Sequence, residues 1–263
     1  MKNLKFSYDM ELKFDEPIRD HHFTIKCTPF SDERQKIEKL NIDIKPNKFL
    51  SDDCDSYGNK CIYGHMDGLH DLFSIHVDGY AQVGLKPSVA VDDIRKYDIF
   101  KYHTPKTEPG GKLRAFYKSI YFSEGMSKFD KALEMSQRVY GEMTYKAGST
   151  DMNTTAEQAL ECKCGVCQDY AHILISLCRM ARIPARYVVG FMMGEGESHA
   201  WVEIITPEGI YALDPTNNLV VNDEHIKISC GKDNNDCLIN RGVFRGNASQ
   251  CRSISLTVEE VKK

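Results

Sequence analysis

Residues 165–191 read GVCQDYAHILISLCRMARIPARYVVGF, and the change of period inside this stretch decides the architecture of the chain. Its first part keeps Cys167, Ala171, Leu174, Cys178 and Ala181 on one stripe at helical steps of three and four, and Pro184 ends the helix. Arg186–Phe191 then suits a strand, and His199–Ile205 and Ile210–Asp214 read as two more. Gly165 precedes a cysteine in the first turn of that helix. Helix N-termini carry unpaired N–H groups and a partial positive charge, which favour thiolate over thiol and can receive the oxyanion formed when a thiolate attacks a carbonyl. A packed structural thiol is the competing reading of Cys167, and the helix alone does not separate the two.

A reactive thiol needs a base. His172 lies five residues on, about 140° around the helix, and reads as a surface or flank residue. His199 is the better candidate. In a strand it shares a face with Trp201 and Glu203, while Ala200, Val202 and Ile204 form the core face. Thr206-Pro207-Glu208-Gly209 reads as a two-residue hairpin connection, so that paired residue numbers sum to 415. Asp214 then falls opposite Trp201 and diagonal to His199, roughly 7–8 Å between backbones. A carboxylate there can hold one imidazole nitrogen and leave the other for the thiol. A slip of one residue would turn Asp214 to the other face.

Upstream, the pattern is β. Phe6, Tyr8, Met10, Leu12 and Phe14 alternate with polar residues, and the period returns at Phe23, Ile25 and Cys27, at Ile42 and Ile44, and at Phe73, Ile75 and Val77. Asp15-Glu16-Pro17, Pro46-Asn47 and Tyr57-Gly58-Asn59 supply turn signals. Residues 1–85 therefore read as a small antiparallel β domain, 86–125 as a connector, and 126–263 as a core with C-terminal strands, an α+β architecture. Within the core, Ser127 caps a helix with Phe129, Leu133, Ser136, Tyr140 and Met143 on one face. Thr154 and Glu157 have capping-box spacing before a second, short helix.

The formal net charge is -4, from 38 acids and 34 bases, and the bases are scattered. This argues against nucleic acid or an anionic membrane as partner. The first fourteen residues lack an apolar signal core and no apolar run is long enough for a bilayer, so a cytoplasmic location is expected. Ten cysteines without a signal read mostly as buried small hydrophobes and not as a disulfide framework. Cys162-x-Cys164-x-x-Cys167 lacks the paired spacing and fourth ligand that zinc wants, so no metal or cofactor is expected. Trp201 reads either as a cleft wall beside His199 or as packing on a helix, and Met192–Ser198 either as a mobile flap or as a solvated loop. Gln168 and Tyr145 are the available suggestions for a second oxyanion donor.

Four pieces in order, Gly165-x-Cys167-x-x-Tyr170-Ala171, Arg182–Gly190, His199–Glu203 and Leu213-Asp214-Pro215-Thr216, together resemble the transglutaminase-like superfamily. The resemblance implies a papain-like core preceded by the small antiparallel β domain, with Cys167 as nucleophile, His199 as base and Asp214 as the orienting group. It extends to bacterial two-domain members provisionally labelled cysteine proteases, through Asp55-x-Tyr57-Gly58-Asn59 and through His225-Ile226, Gly231-Lys232-Asp233 and Arg241-Gly242-Val243-Phe244-x-Gly246. Lys232 and Asn234 depart from that family's usual Arg and Tyr. The activity implied is acyl transfer on a protein or peptide amide, hydrolytic as in a peptidase or amidase. Glutamine cross-linking or deamidation is the alternative, and a β module that only binds partners is the non-enzymatic one.

Overall fold

The computed structural model describes residues 1–46 and 49–262, so Asn47 of one expected turn lies outside the described residues. The strands run β1 (Lys2–Ile25), β2 (Gln35–Lys45), β3 (Phe49–Cys54), β4 (Lys60–Met66), β5 (His70–Val83), β6 (Thr144–Tyr145), β7 (Cys164–Gly165), β8 (Ala185–Met192), β9 (Gly194–Gly196), β10 (His199–Thr206), β11 (Gly209–Asp214), β12 (Leu219–Val220), β13 (His225–Gly231), β14 (Asn240–Arg245) and β15 (Gln250–Glu260). The helices are α1 (Gly111–Ser119), α2 (Lys128–Glu142), α3 (Ala156–Cys162) and α4 (Cys167–Met180). The class is α+β: an N-terminal antiparallel sheet ordered β2-β5-β1-β15-β9, and a core sheet ordered β12-β11-β10-β8-β13 with the helices packed on it.

The alternation at the start of the chain forms the inner face of the first sheet, with Leu4, Phe6, Tyr8, Met10, Leu12 and Phe14 all buried. Asp15-Glu16-Pro17 does not reverse the chain. The strand continues through a register shift between Lys13 and Ile18. Two hydrogen bonds hold it extended there, from the Asp15 N–H to the Ser249 carbonyl (3.1 Å) and from the Ser249 N–H to the Asp15 carboxylate (2.8 Å). One half of β1 pairs with β5 and β15, the other with β4 and β14.

The last strands also differ from expectation. β14 and β15 leave the core, into which the sequence reading had placed all of 126–263, and lie beside β1. Their amides and carbonyls satisfy an edge that β1 would otherwise expose. The connector is structured too. Asp93 caps a 3-10 helix over Ile94–Lys101, and the amides of Gly110, Lys112 and Leu113 at the start of α1 donate to Glu157 at 2.7–3.0 Å. Glu157 is thus spent on another helix, and the capping box of α3 sits one residue later, between Thr155 and Gln158. In α2 the buried side is Ala132, Met135, Ser136 and Val139, turned from the expected stripe so that Tyr140 is exposed.

Helix α4 is buried on every side from Asp169 to Arg179, because α1, α2 and α3 cover one flank and the core sheet the other. His172 is therefore internal and not a flank residue. Burial lowers its pKa to about 3, and its Nε2 accepts the Asn234 N–H at 3.3 Å.

The two sheets meet where Phe191 of β8 packs on Phe6 and Tyr8, at ring separations of 5.7 and 5.3 Å. Side-chain amides of the β domain also stand in for a missing neighbour strand along β13. Asn59 donates to the Cys230 carbonyl and accepts its N–H, both at 2.7 Å. Gln35 does the same for Lys227, both at 2.8 Å. The Asp55 carboxylate shapes the turn that delivers Asn59, accepting the N–H groups of Tyr57 and Asn59, while Gly58 takes a φ of 81°. Beneath this seam, Glu203 receives Arg186 at 2.6 Å and Lys227 at 2.8 Å, with all three side chains at most 14% exposed. Removing the carboxylate strands two desolvated cations. Glu203→Ala is expected to lower stability by about 3–5 kcal/mol in denaturant unfolding, whereas Glu11→Ala in the exposed Lys13–Glu11 pair should cost under ~1 kcal/mol.

Candidate active site

The approach to Cys167 is built around one acidic side chain. Asp169 accepts the Val166 N–H at 2.8 Å and the Thr150 hydroxyl at 2.6 Å. A Cβ on Gly165 would lie 2.5 Å from the same carboxylate, so only glycine fits there. Tyr145 and Gly165 pair across the short parallel ladder β6–β7, which fixes the entry to α4. The Val166 carbonyl accepts the Asp169 and Tyr170 amides. Among the described residues, the Cys167 and Gln168 amides ahead of them have no such acceptor. Cys167 opens α4 and is partly buried against the main core cluster.

The β10–β11 hairpin has the register read from the sequence, with Thr206↔Gly209 through Val202↔Leu213 paired. Ala200, Val202 and Ile204 join the helix-covered core, while Trp201 faces the other way into a smaller cluster with Val188, Ala212, Val221 and Cys230. His199 Nε2 lies 2.7 Å from Asp214 Oδ2. A carboxylate only accepts, so Nε2 carries the proton and Nδ1 is the nitrogen left for another partner. The Cys167 thiol, at the start of α4, is near enough to act on the same ring. Burial alone would lower the His199 pKa, but hydrogen bonds with Asp214 and Cys167, together with their negative charges, push it up to about 10. Burial opposes the charge of Asp214 as well, yet donors from His199, His225 and Asn217 hold its carboxyl well below the usual carboxylate range.

His225 entered the sequence reading only as part of a resembling tail, not as a site residue. It comes from β13 on the far side of β8, and its Nε2 donates to the same Asp214 oxygen at 3.3 Å. Its ring packs edge-on to Trp201 at 5.1 Å. Trp201 is therefore the floor under both histidines, buried between strands and not against a helix. Asn217 Nδ2 (2.8 Å) and the N–H groups of Thr216 (2.9 Å) and Asn217 (3.2 Å) also donate to Asp214. Sequence reasoning had no route to His225, because nothing local links β13 to the hairpin two strands away.

The other expected residues have definite places. Gln168 spends its side chain on the Asp151 carbonyl and on Asn234, and lines a cleft. The Tyr145 hydroxyl is raised by burial and by the nearby charge of Cys167. Within Met192–Ser198, residues Gly194–Gly196 are neither a free flap nor a solvated loop, since they pair with Val258–Leu256 of β15. Cys162 and Cys164 are not among the described groups placed to share a metal ion. His199, Asp214 and His225 do bring three donor atoms within 4.8 Å of one another. The buried cysteines are Cys27, Cys61, Cys178, Cys230 and Cys237, and all ten are free thiols.

A cleft of about 730 Å³ opens next to this group, between the two sheets. Gln168 and Ser198, the sequence neighbours of Cys167 and His199, lie in its wall with Tyr187 and Val189, and Tyr8, Met10 and Leu12 form the opposite side.

Comparison with known proteins agrees with this architecture. Residues 117–215 match the model of the transglutaminase-like superfamily, and residues 4–82 match that of the bacterial transglutaminase-like N-terminal region. The fold is shared with a provisionally described cysteine protease from Cytophaga hutchinsonii, at a TM-score of 0.82 and 21% identity over 100% of this chain and 91% of that one. An uncharacterised protein of Mycobacterium tuberculosis is 25% identical over 98% of this chain and 92% of its own length. One from Mycobacterium leprae is 33% identical over 40% of each.

The His199–Asp214 pair has a definite pH signature. The histidine is raised from 6.5 to about 10, so its contribution to stability is complete below pH 6.5 and is lost as pH climbs through about 10. Asp214 is depressed from 3.8, so its share fades only as pH falls below that value. The gap in Tm between the unmodified chain and Asp214→Asn should be widest between these limits. It should narrow steadily from pH 6.5 to about 10; thermal melts across that range that keep a constant gap would contradict the pairing.

Proposed function

We propose, for a chain that joins a bacterial transglutaminase-like N-terminal region to a transglutaminase-like core, that it is a cysteine-nucleophile acyl-transfer enzyme hydrolysing peptide or side-chain amides. The observation that supports this reading is that Cys167 opens α4 and acts on the His199 ring, while Asp214 holds that ring through Nε2. Cys167 Sγ attacks the amide carbonyl carbon, and the negative oxygen is received by the Cys167 amide at the helix start. The His199 Nδ1 proton passes to the departing nitrogen, the C–N bond breaks, and a thioester remains. Water enters, gives a proton back to Nδ1 and attacks the thioester, releasing a carboxylic acid and the thiolate. Asp214 keeps Nε2 protonated and offsets the imidazolium charge, and does not itself move a proton. A primary amine in place of water would give a cross-link by the same steps. Hydrolysis is preferred because the open cleft beside Cys167 is wide enough to admit water without any further device.

Two outcomes test the reading. Intact mass after brief incubation with amide substrates should show an acyl adduct that maps to Cys167 and is absent in Cys167→Ala. His199→Ala and Asp214→Asn should slow its formation by about 10²–10⁴-fold, and Asp214→Asn should add little once Cys167 is removed. Adduct formation on another cysteine would overturn the assignment. The rate should also fall as pH rises through about 10, where His199 loses the proton that the leaving group needs. In Asp214→Asn that alkaline limb should move to lower pH, since the charge that raised the histidine is gone.

A further inference from the structure

The inner face of the N-terminal sheet is apolar through its three central rows, with Glu260 opposite Leu4 at one end and Gln250 opposite Phe14 at the other. Opposite residues of β1, β5 and β15 share a face, and the rows run Phe6 with Gly79 and Val258, Tyr8 with Val77 and Leu256, Met10 with Ile75 and Ile254. The next row is Leu12 with Phe73 and Arg252. A guanidinium stands where the alternation calls for another hydrophobe. The upper rows are covered by Phe191, Ile226 and Ile228 of the core. Lower down the core falls away, and the face becomes one wall of the 730 Å³ cleft, with Met10, Leu12, Arg252 and Ile254 in its lining. Arg252 has no ion pair among the described residues. Of the two acids that line the cleft, Asp151 directs its Oδ1 into its own turn, toward the Asn153 and Thr154 amides, and Glu197 makes no ion pair with Arg252.

A second observation points to the same place. Tyr8 Oη, Asn234 Oδ1 and Asn240 Oδ1 are buried and have no hydrogen-bond partner in the protein, and all three residues line this cleft. Tyr8 is 0% exposed and Asn234 4%. Buried polar atoms are rarely left without partners, and two amide oxygens in one cleft call for donors such as peptide N–H groups. The Asn234 amide nitrogen is already committed to Gln168 and the Met152 carbonyl, which fixes its oxygen in orientation.

We infer that this cleft binds the acyl-donor peptide, that Asn234 and Asn240 accept its backbone N–H groups, and that Arg252 selects substrates carrying a carboxylate near the amide under attack. The inference rests on the proposed function for its choice of a peptide ligand, and goes beyond it in naming the substrate class and the residue that reads it. Arginine suits the task because its planar fork meets a carboxylate with two parallel hydrogen bonds. Arg241 at the rim adds a second positive charge to the approach.

Binding can be measured apart from turnover, in the full chain carrying Cys167→Ala. Fluorescently labelled short peptides, blocked at both ends and differing at one position as Glu, Gln or Lys, would be titrated by anisotropy. The Glu peptide should bind about tenfold or more tighter than the Lys peptide, an advantage that shrinks with added salt. Arg252→Glu should invert that order, while Arg252→Lys should retain it in weaker form. A Gln peptide with a free C-terminus that matches the blocked Glu peptide would assign the carboxylate to the chain end, still read by Arg252. Equal binding of all peptides, no binding of any, or an order unchanged by Arg252→Glu would overturn the inference. The intact-mass test of Cys167 on neutral amides is independent of these results, so failure of the acyl-transfer reading would be seen separately.

Discussion

A carboxylate with no exposed surface must be surrounded by donors, and Asp214 is 0% exposed. Its neighbours follow from that requirement. His199 comes from the partner strand of its own hairpin, His225 from β13 across the sheet, and the Thr216 and Asn217 amides from the turn that β11 enters. One buried charge thus ties together the hairpin, the far strand of the core sheet and the loop after it. It also fixes which imidazole nitrogen of His199 is protonated. Trp201 packs beside both rings, stacked with His199 and edge-on to His225.

The β domain is joined to this arrangement by covalent order and by hydrogen bonds. β1 pairs with β15, β15 with β9, and β9 ends three residues before His199. On the other side, Asn59 and Gln35 occupy the backbone groups of β13, the strand that carries His225. Both histidines around Asp214 are therefore held from the N-terminal sheet as well as from the core. This accounts physically for the Asp55-x-Tyr57-Gly58-Asn59 motif, more than 100 residues from any site residue in the sequence: the turn exists to present an amide to a strand edge.

What the sequence made legible was local or periodic. The hairpin register followed from loop length, the helix start from Gly165 and the cap at Ser127, and the inner face of β1 from strict alternation. What stayed hidden depended on contacts between distant segments. Asp15-Glu16-Pro17 has the composition of a turn, yet Ser249 keeps it extended. The α4 stripe looked one-sided because the apolar and small residues off it, Ile173, Ile175 and Leu177, could not be assigned to a partner until the other helices were placed. His172 went wrong for the same reason. His225 and the return of β15 were invisible, since pairing between segments this far apart leaves no mark at either one.

The return of β15 also changes what the β domain is for. A sheet that served only to cover the core would end its apolar face where the core ends. Here the face continues past Phe191 through Met10 and Leu12, and at the uncovered end the sequence substitutes Arg252 and Gln250 for the expected hydrophobes. Gln168 and Ser198, the immediate neighbours of Cys167 and His199, line the same cleft. The same strand that aligns His199 through β9 therefore supplies polar residues to that cleft. Positioning of the proposed base and recognition of the proposed substrate are two properties of one strand, so a shift in the β1–β15 register would disturb both together.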